Sequence, residues 1–160
     1  MILNTLFILI CLAIIVFQDL KYRRIHVFLP LLLFVIAVFK YDENFREWDN
    51  LFKNILFFLI TFSVLTVYLS IKNKRFINPF EGYFGLGDFL FFLAISPLFH
   101  LYNFILYFIL SLLFSLIIQL LVLRFMKNKT IPLAGFASLF LILVICKDLF
   151  FNFKKMTLIV

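Results

Sequence analysis

The chain alternates apolar runs with short polar turns, and the run lengths suit a lipid bilayer. Residues 2–17 form an uncharged run, closed by a polar, basic turn from Gln18 to His26. Val27 to Phe39 is a shorter run, which Arg24 and Lys40 can extend by snorkelling from its ends. Lys40 to Lys53 is a polar loop with Asp42, Glu43, Glu47 and Asp49. Asn54 to Ile71 is a third run, stopped by Lys72, Lys74 and Arg75. The loop from Phe76 to Gly87 holds Pro79, Gly82, Gly85 and Gly87, and its Phe76, Phe80, Tyr83 and Phe84 suit the membrane interface. From Phe89 to Leu123 there is no charge. One helix of that length would run ~50 Å against a hydrocarbon core of ~30 Å, so the run must break. His100 to Asn103 is its most polar point, and Ser96-Pro97 is suited to kink or end the fourth helix. A last run covers Ile131 to Cys146, with Pro132 placed for a first helical turn. The pattern predicts an all-α, polytopic integral membrane protein with about six transmembrane helices. Their expected spans are 2–17, 25–40, 54–71, 88–101, 104–123 and 131–147, in one membrane-embedded domain over 1–160.

Composition narrows the class. Of 160 residues, 66% are hydrophobic and 14% charged, against roughly 45–50% and about 25% in soluble domains. That excludes a soluble globular domain, a disordered chain and a nucleic-acid-binding module, and no nucleic-acid partner is expected. The net charge of +7 comes from turns between apolar runs, so it reads as topology. Three turns hold Lys21, Arg23, Arg24, then Lys72, Lys74, Arg75, then Arg124, Lys127, Lys129. The opposite loops hold Lys40, Arg46 and Lys53 with four acids, and the tail adds Lys147, Lys154 and Lys155. Nine against six places the three turns in the cytoplasm and both termini outside, in an inner membrane. The first run is retained rather than cleaved, because its positive charges follow it. Cys11 and Cys146 both lie inside apolar runs, which makes them packing residues and leaves no metal-ligand pattern.

Two carboxylates stand out. Asp19 closes the first helix and Asp88 opens the fourth, so topology alone brings them to one membrane face, each at a helix end. A carboxylate at membrane depth is expensive, about 2.5–3.5 kcal/mol on insertion scales, and usually faces a cavity or has a function. Each also has a plain structural reading. Asp19 can be a juxtamembrane residue paired with Lys21, Arg23 or Arg24, and Asp88 can be a helix cap, with Gly85 and Gly87 supplying a turn. Brought together, two carboxyls share a proton and can perform acid–base work on a peptide bond without metal or cofactor.

Asp19-Leu20-Lys21-Tyr22-Arg23-Arg24-Ile25, followed about seventy residues on by Gly85-Leu86-Gly87-Asp88, resembles the type IV prepilin peptidases, membrane aspartyl proteases of the Gly-x-Gly-Asp type. Ile131-Pro132-Leu133-Ala134-Gly135 looks like the family's softer third feature. His26 stands where the family has Pro, and Leu90 where it usually has Lys. The resemblance implies a six-helix catalytic core in which Asp19 and Asp88 form the dyad, supported by Gly85, Gly87, Lys21, Arg23 and Arg24. It implies prepilin or pseudopilin substrates, cut at the cytoplasmic face before their hydrophobic helix. Long members carry a Cys-rich segment and methylate the new N-terminus, so cleavage without methylation is expected here. The alternatives are a non-catalytic homologue, a lipoprotein signal peptidase-like protease, and a small proton-coupled transporter using the same two acids.

Other polar residues have quieter readings. Ser111, Ser115 and Gln119 recur every four residues on the fifth helix, a stripe that suits helix packing. Glu81 reads as a solvated loop acid, His26 as an interface residue and His100 as structural on the outer side.

Overall fold

A computed structural model describes residues 2–39, 45–80, 83–122, 131–150 and 155–158. Six α-helices follow in chain order: α1 (Ile2–Tyr22), α2 (Phe28–Val38), α3 (Phe45–Lys72), α4 (Leu86–Ile95), α5 (Leu101–Val122) and α6 (Leu133–Phe150). A 3-10 turn over Ser96–Leu98 follows α4. There is no strand among the described residues. Arg124, Lys127 and Lys129 of the third basic turn, Asp42 and Glu43 of the polar loop, Glu81, and Lys154 of the tail lie outside the described residues.

Four helices, α1, α3, α5 and α6, are long and apolar enough to cross a membrane. The other two are shorter apolar helices, over Phe28–Val38 and Leu86–Leu98. At ~1.5 Å per residue, α2 is only about 16 Å long, half the ~30 Å hydrocarbon core. Helix ends at membrane depth need partners for their free backbone groups. Asn54 of α3, fully buried, supplies two of them: its Nδ2 donates to the carbonyl oxygens of Ser96 and Phe99, each at 2.8 Å. The Leu158 N–H donates to the Leu98 carbonyl. Ser96-Pro97 thus ends α4 in a satisfied turn, and α5 starts at Leu101, inside the polar stretch His100 to Asn103 and three residues before the expected 104.

Between helices in lipid, packing and small residues take over from the hydrophobic effect. Along α6, Ala134, Gly135, Ala137 and Ser138 are all buried, which lets it sit close to its neighbours α1 and α5. A phenylalanine cluster binds α3, α4 and α5. Phe58 meets Phe92 at 5.7 Å, Phe62 meets Phe89 at 4.8 Å and Phe92 meets Phe108 at 5.0 Å between ring centroids. Tilted and edge-on pairs of this kind contribute about 0.5–1.5 kcal/mol each beyond burial. Phe80 and Phe84 fold onto Phe62, while Phe76 stays 93% exposed, so only part of that aromatic loop is available to the interface. Ser111 and Ser115 are buried and donate to carbonyls of their own helix. Cys11 and Cys146 are free thiols.

The far end of the bundle is closed by the tail. Asp148, 1% exposed, accepts from the N–H groups of Met156 and Thr157 and from the Thr157 hydroxyl. Lys147 pairs with the same carboxylate at 2.9 Å. Nearby, Lys53 pairs with Asp49, and His100 meets Asn50 at 3.0 Å. Two of the far-end lysines are therefore neutralised by carboxylates.

Candidate active site

The chemistry converges on the start of α6. Its first backbone N–H groups have no acceptor within the helix and carry the positive end of the helix dipole. The Ala134 N–H donates to Asp88 Oδ1 at 2.7 Å, and the Gly135 N–H donates to Asp19 Oδ2 at 2.6 Å. Two donors one residue apart, with Cα atoms about 3.8 Å from each other, confine the two carboxylate oxygens to within roughly 9 Å. The charge of Asp19 acts on Asp88 across that gap. Asp19 is 6% exposed and Asp88 half-buried.

Helix geometry delivers each acid. Helix α1 runs on to Tyr22, past the expected end of the first span, so Asp19 sits in its last turn and faces α6. Gly85 is the N-cap of α4, which makes Asp88 the third helical residue rather than the cap itself. The Gly85 N–H nevertheless bonds to the Asp88 carboxylate, the reach-back half of a capping box. The structural reading of Asp88 is thus partly fulfilled, and its other bond, to Ala134, goes beyond it.

Three of the chain's four glycines surround the two acids, and each is there for room. A Cβ on Gly85 would lie 2.6 Å from Asp88 Oδ2. Gly85 has φ −72° and ψ 134°, open to any residue, so space rather than backbone freedom requires glycine. A Cβ on Gly135 would lie 3.0 Å from Asp19 Oδ2 and 3.1 Å from Asp19 Cβ. A Cβ on Gly87 would press on Ile25 at 3.2 Å, so this glycine lets the α1–α2 turn seat against the first turn of α4.

The basic residues divide. Arg23 adopts φ 55°, ends α1 and donates its N–H to the Asp19 carbonyl at 3.1 Å, and its charge acts on the Asp19 carboxylate. Lys21 turns away, its ammonium 5.1 Å from the ring centres of both Phe17 and Tyr22. Two residues along a helix is a rotation of about 200°, so Lys21 cannot share the face of Asp19. Arg24 is exposed and lines a cavity with Gln18, Tyr22, Ile25 and His26. Leu90, by the same rotation from Asp88, lines an apolar groove with Phe34 and Leu59 between α2, α3 and α4. Ala134 and Gly135, as backbone donors, were legible only as small residues after Ile131-Pro132. Among the described residues, no cluster of three or more His, Cys, Asp or Glu side chains could hold a metal ion.

The fold and this site define a multi-pass helical membrane protein built around a recessed pair of carboxyls. The chain matches the type IV leader peptidase family over residues 6–120, and it belongs to that family. It is therefore a protease of the prepilin-peptidase kind. The match spans α1 to most of α5 and includes both acids, while α6, which supplies the two amide donors, follows it. Comparison with curated proteins and with solved structures finds no match.

Proposed function

We propose that the chain is an aspartic endopeptidase that removes short basic leaders from type IV prepilins or pseudopilins at the cytoplasmic membrane face, with Asp19 and Asp88 as its catalytic pair. The observation that carries this reading is the delivery of two acids, sixty-nine residues apart, to consecutive amides of one helix start. In the step, the ionised carboxyl takes a proton from water as its oxygen attacks the peptide carbonyl. The protonated carboxyl gives its proton to the carbonyl oxygen, and the collapsing intermediate passes one to the leaving amine. The α6 amides orient both acids without being consumed. Cleavage without methylation is part of the proposal, since both cysteines of these 160 residues sit in helices.

The membrane face is argued from charge. The end that holds the acids also carries Lys21, Arg23, Arg24, Lys72, Lys74 and Arg75, whereas Lys53 and Lys147 at the other end are paired with acids. An excess of basic residues in short loops favours the cytoplasm. Family membership favours this reading over a lipoprotein signal peptidase or a proton-coupled carrier.

The test is co-expression with a candidate prepilin from the same genome, with leader removal followed by mass. Native chain should cut, and Asp19→Asn and Asp88→Asn should each leave the precursor intact. Cutting by either variant would end the two-carboxylate mechanism. Failure of the native chain across several substrates would favour the non-catalytic homologue.

A further inference from the structure

The turn between α1 and α2 holds a feature that peptide hydrolysis does not use. Gln18, Tyr22, Arg24, Ile25 and His26 line a cavity of about 330 Å³, within the roughly 300–1,000 Å³ range of small-molecule sites. Its lining is mostly apolar, and its polar members are residues whose side chains can donate hydrogen bonds. Gln18 Oε1 already accepts the His26 backbone N–H at 3.1 Å, which leaves its amide NH2 as a donor. Tyr22 adds a phenol, Arg24 a guanidinium and His26 an imidazole. Among the described residues no carboxylate lines the cavity, and Asp19, the next residue after Gln18, is turned to α6.

The cavity also lies at a definite depth. Apolar side chains flank the turn on both sides and are exposed: Phe17 57%, Tyr22 57%, Val27 49% and Phe28 70%. In a bilayer Phe17, Val27 and Phe28 face acyl chains, while Tyr22 lies at the interface. Lys21 folds over the rings of Phe17 and Tyr22, an amphipathic arrangement typical of the interface. The cavity therefore opens where lipid phosphates are concentrated, and it presents a planar guanidinium suited to a bidentate phosphate contact.

We infer that this cavity binds the phosphate headgroup of an anionic phospholipid. Its donors match a phosphate diester, and its depth favours a lipid over a soluble anion. The site touches the catalytic end through one residue. Ile25 forms a wall of the cavity and also rests on Gly87, next to Asp88. A bound headgroup would brace the α1–α2 turn against the start of α4.

The test reads binding, so it stands apart from whether a leader is cut. The full chain is purified in detergent, offered phosphatidylglycerol and phosphatidylcholine together, and examined by native mass spectrometry. Phosphatidylglycerol should be retained in preference. Arg24→Gln should weaken its retention about fivefold, as expected for one basic group at a membrane surface, and Arg24→Gln with His26→Gln should weaken it further. Both side chains are exposed, so folding should survive, which a thermal-shift scan checks. Lys74→Gln removes the same charge at the same end of the bundle and should leave retention unchanged. Equal retention of the two lipids, or an equal loss in Lys74→Gln, would overturn the site. So would displacement of the lipid by millimolar inorganic phosphate, since the ligand would then be a free anion.

Discussion

Gly85→Ala separates the arrangement of the acids from the stability of the fold. The new Cβ would lie 2.6 Å from Asp88 Oδ2, where ordinary contact begins near 3.4 Å. The carboxyl must retreat by about 0.8 Å to restore van der Waals distance. Its other oxygen accepts from the Ala134 N–H at 2.7 Å, and a retreat of that size stretches the bond to the edge of useful geometry. A hydrogen bond to a charged group is worth about 1.5–3 kcal/mol, so its loss corresponds to about a ten- to hundred-fold lower rate. Stability should hardly change, because φ −72° and ψ 134° suit alanine and the displaced atom ends a flexible side chain. Replacing glycine at a compatible position even stabilises slightly, by about 0.4–1 kcal/mol. The assay is the initial rate of leader removal in membranes, beside a melting curve of the purified chain. Wild-type cleavage by Gly85→Ala would refute the reasoning, and so would a loss of activity that merely follows unfolding.

Other outcomes follow from the same contacts. Gly135→Ala, with its Cβ 3.0 Å from Asp19 Oδ2, should also slow cleavage but less sharply, since the neighbour need give only a few tenths of an ångström; a larger loss than in Gly85→Ala would contradict that ranking. The pH–rate profile should be bell-shaped, because one acid must be ionised and one protonated, and a single limb would argue against the shared roles. Asn54→Leu keeps the branched shape but strands the carbonyls of Ser96 and Phe99, at about 1–3 kcal/mol each, so its melting temperature should fall clearly below wild type. Phe76→Cys, at a fully exposed position beside Arg75, should react with an impermeant maleimide in inverted vesicles and not in intact cells; the reverse pattern would reject a cytoplasmic site.

The order of six apolar helices follows from run lengths and basic turns alone, because a helix that faces lipid on one side and protein on the other is apolar all round. The pair Asp19 and Asp88 is legible for the same reason: a charge bordering an 18-residue stretch without charged side chains, or a 35-residue one, has no cheap place to be. Sequence spacing cannot tell which side of a helix a residue finally presents to its neighbours. Lys21 and Arg24 share a motif with Asp19, yet rotation about α1 and the turn after it send them to the interface, and only Arg23 stays beside the acid. The two amides that hold the carboxyls carry no side-chain signature at all. They become donors because Ala134 and Gly135 open a helix, and they reach Asp88 and Asp19 because α1, α4 and α6 pack closely enough through glycine. Composition and hydropathy decide what enters the membrane, being sums over residues. The meeting of two acids sixty-nine residues apart depends on helix rotation and on the room left by missing Cβ atoms, and tertiary packing alone sets both.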